Sequence, residues 1–389
     1  MKRIYLDYAA TTPVAKEVLE AMLPFFSQKY GNAASIHSFG REAKEAIDES
    51  RKNAAKVIGA EPHEIVFTSG GSESDNIALR GLLNKGDHVI TSAFEHHAIM
   101  HTCEALEKEG VRVTILPVTK DGFVKPQDVE KAITKSTKLV SIMHANNEIG
   151  TIQPVQEIGK ICRDHNILFH TDAVQTFGKI PIDVKKMSID LLSASGHKVY
   201  GPKGVGCLYV KSGVPLRPLI TGGSQEHGFR AGTHNASGIV GFGKAAELAL
   251  KNMGKEAAYV TKLRDMLIDG VLKIPDSWLN GSRQNRLPNN TNFGFDYIEG
   301  ESIVLHLDIK GVAGSTGSAC SSESLTPSHV LTSIGLSLVK AHGSLRLTLG
   351  KDNTKAEIDY TIGVLPEIIE NLRRISPMRS TGTSGFKRK

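Results

Sequence analysis

The stretch Ile189–Val210, IDLLSASGHKVYGPKGVGCLYV, places a histidine and a lysine side by side between two apolar runs. IDLLSAS reads as a buried strand, and VGCLYV as the strand that follows a tight glycine turn. Lys198 closes the first of them, where the surroundings are small and apolar. A long cationic side chain in such a place is either a paired core lysine or a reactive amine.

Outward from this stretch the same texture repeats. From about Glu64 to Val210, strand-like runs (EIVFTS, HVITS, LVSIMHA, ILFHTDA) alternate with helical patterns (SESDNIALRGLL, AIMHTCEALEKEG, VQEIGKICRDH). This βαβ alternation predicts an α/β fold with a mostly parallel sheet and helices on both faces. Ligands of such sheets bind beyond the carboxyl ends of the strands, so the residues just after each strand are the candidates for chemistry. A helical pattern follows from about Asn235 to Leu272. Thereafter NRLPNNTNFGFDYIEGESIVLHL, AHGSLRLTLG and TKAEIDYTIGVLPEIIENLRRI predict a smaller α+β domain, with Pro366 an obstacle in its last helix.

Each strand end admits two readings. VFTSGGSESDN places Ser69–Ser72 at a helix start, either an anion-binding cup or an ordinary N-cap. It is neither a Walker loop nor a G-x-G-x-x-G fingerprint. FEHHAIMHTC sets His97, His101 and Cys103 at spacings a metal could use, but supplies no matching fourth ligand; His96, at the strand-to-helix turn, is placed to cover a planar ring. Asp172, after ILFHT, is a structural ion-pair or cap residue or a functional carboxylate, with Gln175 one turn on. Cys320 lies in a loop of small residues (AGSTGSACSSES) and is a nucleophile or a plain loop cysteine; Cys103, Cys162 and Cys207 sit in helices or a strand and read as packing residues. Arg346, in SLRLTLG, is a carboxylate clamp or a surface ion pair.

One cofactor needs a phosphate cup, a buried carboxylate and a lysine at neighbouring strand ends. Pyridoxal 5'-phosphate takes a lysine as a Schiff base and pairs its ring nitrogen with an acid. The cup at Gly71–Ser72, Asp172 and Lys198 together point to it, with Ser195 and His197 able to add phosphate contacts.

YLDYAATTP, EIVFTSGGSESDN, TSAFEHHA, MHANNEIG, HTDAVQ, SGHKVYGPKG, GGSQEHGFRAGT, YIEGES, GSACSS and LRLTLG occur in this order from about residue 5 to residue 377. In these motifs the chain resembles cysteine desulfurases of the NifS/IscS type, within the class V aminotransferase-like, fold type I pyridoxal phosphate enzymes. The resemblance implies a large cofactor domain (14–254) with a mostly parallel seven-stranded sheet, a small domain (1–13 and 255–377), and a disordered basic tail (378–389). It implies that Lys198 carries the Schiff base, His96 stacks on the ring, Asp172 pairs with its nitrogen, and Gln175 and Asn147 contact the ring hydroxyl or substrate. Gly71, Ser72, Ser195 and His197 hold the phosphate, and Thr233 reaches the phosphate of a neighbouring subunit in a homodimer. Arg346 binds the carboxylate of L-cysteine. Cys320 accepts the sulfur, and the resemblance makes the same residue a ligand of an iron–sulfur cluster shared with a scaffold partner. A selenocysteine lyase, an aminotransferase of the same fold and a noncatalytic scaffold are the alternative readings. Two features depart from the family: Ala33 stands where proline is usual, and the tail after Pro377 is short and basic.

Composition bounds the remaining classes. The 389 residues carry a net charge of +6 from 47 basic and 41 acidic side chains, spread without a long block of one sign, so no nucleic-acid face is expected. No apolar run approaches the roughly 20 residues of a membrane span, and the polar start MKRIYLDYAATTP does not read as a signal peptide. Four distant cysteines with no Cys-x-x-Cys pair point to a reduced, cytoplasmic protein.

Overall fold

The computed structural model describes residues 3–317 and 327–377. The chain divides into two compact units: Thr11–Asn147 with Thr151–Ala257, and Met1–Ala10 with Glu148–Gly150 and Ala258–Lys389. Glu148–Gly150 thus group with residues remote from them in sequence. The strands, in chain order, are β1 (Ile4–Tyr5), β2 (Ile65–Thr68), β3 (His88–Ser92), β4 (Arg112–Leu116), β5 (Thr137–Ser141), β6 (Leu168–Asp172), β7 (Leu191–Ser195), β8 (Gly206–Val210), β9 (Ser277–Leu279), β10 (Asn290–Phe295), β11 (Val312–Ala313) and β12 (Ser344–Thr348).

The larger unit is an α/β layer built on a seven-stranded sheet of order β2-β8-β7-β6-β5-β3-β4. Neighbours from β7 through β4 pair in parallel, whereas β8 runs antiparallel to both β7 and β2. The exception has a simple cause. The link from β7 to β8 contains no crossover helix, and a parallel return needs about a dozen residues or more, usually helical. Lys198 lies in that link. Every residue of β2, β3, β7 and β8 is buried, the polar His88, Thr91, Ser92, Ser193 and Ser195 included, as strands covered on both faces must be. The edge strand β4 is absent from the sequence reading. Only Leu116 is buried, while Arg112 and Ile115 are exposed, so the three apolar residues of RVTIL sit on an edge that is half solvated.

Strand order also locates a switch point. From β5 the chain steps to β6 and β7 on one side, while β3 and β4 lie on the other. The connections leaving β3 and β5 therefore diverge, and a crevice opens between their carboxyl ends. The segments there, Phe94–His96 and Met143–Asn147, carry two of the candidate residues.

In the smaller unit β12-β10-β9 form an antiparallel sheet and β1 pairs in parallel with β11. Phe293, Phe295, Leu345 and Leu347 pack there with Leu365, Ile368 and Ile369 of the helix Lys355–Ile375. Thr354 and Glu357 close a capping box at its start. The helix runs through Pro366, which faces solvent while Ile358, Leu365, Ile369 and Leu372 are buried. A proline inside a helix costs about 3 kcal/mol, and burying several aliphatic side chains at about 1.5–3 kcal/mol each outweighs it.

Candidate active site

The lysine turn is held from far away in sequence. After β7 the chain makes one 3-10 turn, Gly196–Lys198, then reaches Tyr200 at a left-handed φ of 61°. Thr12 secures both sides of that turn. Its backbone N–H and hydroxyl donate to the His197 carbonyl at 2.9 and 3.0 Å, and its hydroxyl accepts the Tyr200 N–H at 2.8 Å. Thr11 adds a contact of 3.1 Å to His197 Nδ1. Gly196 leaves no slack, since a Cβ there would lie 3.0 Å from the Pro202 carbonyl and 3.1 Å from Phe242. Nothing in the local pattern of AATTP signals this role, because its partners lie about the turn at His197.

Register brings the cup to the lysine. Ser195 pairs with Gly206, and Gly206 with Thr68. The loop after Thr68 therefore meets the end of β7: a Cβ on Gly206 would lie 2.8 Å from Gly70 Cα, and one on Gly70 3.9 Å from Ser195 Oγ. The ten-residue helix Gly71–Arg80 begins here with no side-chain cap, which leaves the ordinary N-cap reading without support. The N–H groups of Gly71 and Ser72 and the Ser195 hydroxyl take no hydrogen bond among the described residues. Unpaired donors at a helix N-terminus attract an anion. The Ser69 N–H is instead taken by Glu73 at 2.7 Å, so it is not part of the cup. Burial, with the charges of Lys198, Lys203 and Lys179, pulls His197 down to about 4. It is therefore a neutral ring near neutral pH.

Asp172 ends β6, one strand from Ser193 in register. One oxygen accepts the Val174 N–H at 2.8 Å. Burial pushes its carboxyl up to about 6, against the Val174 N–H and the Lys198 charge, which both lower it. The interaction with Lys198 places amine and acid in one electrostatic neighbourhood. Behind them lies a polar layer that the sequence did not reveal. His170 shares its ring nitrogens with Ser141 (2.9 Å) and Ser193 (3.0 Å), and burial pushes it down to about 3. Asp75, held well above the usual range by burial and by Asp172, sits 3.7 Å from His170. Glu95, fully buried, holds the Ser92 hydroxyl at 2.5 Å and the Met143 N–H at 3.0 Å, and burial pushes it up to about 8.

Glu95 and Asn146 tie the two sides of the switch-point crevice. Glu95, after β3, binds Met143, after β5; in return Asn146 Nδ2 donates to the Phe94 carbonyl at 2.9 Å. His96 and Asn147 follow directly on these anchors. His96 caps the helix His97–Lys108, accepting the Ala98 N–H on Nδ1 at 3.1 Å. That bond fixes the ring and leaves the proton of a neutral imidazole on Nε2. His97 and His101 stack at 4.9 Å, Cys103 is buried, and no group of three metal-ligating side chains occurs among the described residues.

Thr233 is exposed, beside His234, which reaches Glu226 at 2.8 Å. Glu226 in turn forms a two-pronged ion pair with Arg51 at 2.7 and 2.8 Å. In the smaller unit Arg346 is buried on β12 and pairs with Asp7 at 3.0 Å, so it is not a surface ion pair. Cys320 falls outside the described residues. The other three cysteines are buried free thiols pushed up to about 12, first by burial.

The donor cup, the acid and the lysine suit pyridoxal phosphate in chemistry and in relative position. Gly71, Ser72 and Ser195 offer unpaired donors to a phosphate, and Asp172 offers a carboxylate at a neighbouring strand end. The chain belongs to the class V aminotransferase family, whose model matches residues 4–361. It is similar to the cysteine desulfurase IscS of Dictyoglomus turgidum, with 58% identity over 97% of this chain and 98% of that one. Among solved structures it is similar to a NifS-like protein, with a TM-score of 0.88 and 40% identity over 95% of this chain and all (100%) of the other. It is also similar to SspA in complex with cysteine, with a TM-score of 0.80 and 42% identity over 90% of this chain and 100% of that one.

Proposed function

We infer that the protein is a cysteine desulfurase: L-cysteine and the Cys320 thiol give L-alanine and a Cys320 persulfide. The balance is complete, because the substrate sulfur moves to Cys320 and hydrogen replaces it on the alanine methyl carbon. The observation that carries this reading is the convergence of Lys198, Asp172 and an unpaired donor cup at adjacent strand ends of one sheet. The SspA structure, described as a complex with cysteine, supports the substrate.

When bound, pyridoxal phosphate supplies an electron sink for the substrate Cα. Gly71, Ser72, Ser195 and His197 would hold its phosphate, and Asp172 would hold its ring nitrogen. His96, fixed by its own helix cap, would cover its ring, and Gln175 and Asn147 would hold its hydroxyl or the substrate. Lys198 would hold the cofactor's aldehyde carbon, and its amine would move the proton at the substrate Cα. Arg346 binds the substrate carboxylate through its planar fork of donors. The three buried thiols near 12 are unreactive at neutral pH, which supports Cys320 as sulfur acceptor.

The working form is a homodimer in which Thr233 serves the neighbouring subunit's phosphate. Leu19, Leu23, Phe26 and Tyr30 are 48–68% exposed along one short segment, an apolar face of the kind a second subunit covers. A cavity of about 280 Å³ joins Phe25, Tyr30 and Ala33 to Thr233. The sulfur passes from Cys320 to an acceptor protein, an iron–sulfur scaffold above all, with which Cys320 can share a cluster. No helix among the described residues is long and apolar enough to cross a membrane, and the free buried thiols suit the reducing cytoplasm.

The test is alanine release from L-cysteine without a keto-acid acceptor, set beside the holoenzyme absorption spectrum. Cys320→Ser keeps the spectrum and loses alanine release; normal turnover by that variant rejects the assignment. Dependence on a keto acid makes the protein an aminotransferase, and strong preference for selenocysteine makes it a lyase for that substrate.

A further inference from the structure

Lys179 has no place in the machinery above, yet it lies inside it. The turn after Asp172 is helical in geometry: Phe177 N–H bonds to the Ala173 carbonyl at 2.8 Å and Ile180 N–H to Thr176 at 3.2 Å. Residues four apart on such a turn are neighbours, and Lys179 Nζ donates to Gln175 Oε1 at 3.4 Å. The turn is pressed against the reactive lysine's own segment. Gly178 has a left-handed φ of 70°, and a Cβ there would stand 2.8 Å from Val199 Cγ2, the residue after Lys198. Lys179 is half-buried and pairs with no carboxylate among the described residues. Burial and the Lys198 charge pull its amine down to about 7. The charged or titratable groups around this pair are His197, which feels Lys198, Lys203 and Lys179, and Asp172, which feels Lys198.

An amide has an accepting end and a donating end, and here the Lys179 nitrogen is the donor and Gln175 Oε1 the acceptor. A bond from Lys179 to the oxygen fixes which end of the Gln175 amide is which. We propose that Lys179 is a positioning residue that locks Gln175 with its N–H groups toward the ring oxygen of bound pyridoxal phosphate. This rests on the assignment of Gln175 to that oxygen. A reversed amide would set oxygen against a negatively charged oxygen, so the orientation decides whether Gln175 helps or opposes the bound cofactor.

The test uses the purified holoenzyme and the pH titration of its visible absorption band. Lys179→Met removes the donor, and Gln175→Glu replaces the donating end with an acceptor; each is expected to raise the apparent pKa of the band by about one unit, a tenfold change in proton affinity. Lys179→Gln restores a neutral donor and is expected to titrate with the wild type. A Lys179→Met band that titrates with the wild type overturns the proposal. So does Lys179→Gln shifting as far as Lys179→Met, which would assign the effect to charge. If Lys179→Met does not fold, Gln175→Glu and Lys179→Gln decide by the same criteria. A wild-type protein that binds no pyridoxal phosphate overturns the cofactor reading itself, and this inference with it.

Discussion

Replacing Glu95 with glutamine should stabilise the cofactor-free protein at neutral pH and do little at acid pH. Glu95 is fully buried, and burial pushes its carboxyl from 4.5 up to about 8. The folded protein therefore holds Glu95 protonated at pH 7, while the unfolded chain ionises it. A raised carboxylate favours the folded state fully below its unfolded value, and that advantage is lost as pH rises from about 4.5 toward about 8. At pH 7 the loss is 2.5 units (7 − 4.5) at 1.36 kcal/mol each, or about 3 kcal/mol. Glutamine carries no such proton, and its amide can still accept the Met143 N–H and donate to Ser92. Urea unfolding of both proteins at pH 4.5 and pH 7 measures the difference. The stability gap, variant minus wild type, should shift in favour of the variant by about 3 kcal/mol across that range. A gap independent of pH would refute the reasoning, because it would mean that Glu95 folds in its ionised form.

Thr12→Val keeps the shape of the Thr12 side chain but removes the hydroxyl between His197 and Tyr200. It should cost about 1–3 kcal/mol and speed loss of pyridoxal phosphate; equilibrium unfolding and dialysis check both, and unchanged retention would show that the turn needs no such staple. Glu226→Gln breaks the buried pair with Arg51. Burial raises the Glu226 carboxyl, but hydrogen bonds from Arg51 and His234 outweigh it and leave it at about 2. Its contribution is therefore present above about pH 4.5 and lost as pH falls toward about 2. The variant should lose about 3–5 kcal/mol at pH 7; a loss under about 1 kcal/mol would place the pair among the weak ones.

The sheet was legible because its strands carry unbroken apolar runs and its helices carry periodic ones, so alternation alone implied the α/β class. Lys198 and Asp172 stood out for the same reason, as charges at the ends of runs that exclude water. The edge strand β4 carries no fewer apolar residues than β3; what sets it apart is the solvation of an edge, with Ile115 exposed, which only the fold decides. Pro366 misled in the other direction, since local propensity warned of a break that packing on the opposite face overrides.

What no reading along the chain reveals is which distant groups hold these charges in place. Thr12 meets His197 across 185 positions, and Glu95 meets Met143 across 48. Lys179 and Gln175 are neighbours in sequence, but their meaning depends on Gly178 pressing the turn against Val199. Hydrophobic patterning is a local property, written into composition and period. Hydrogen-bond orientation and the proton affinity of a buried group depend on what the folded chain brings within a few ångströms, and on how much water it keeps out.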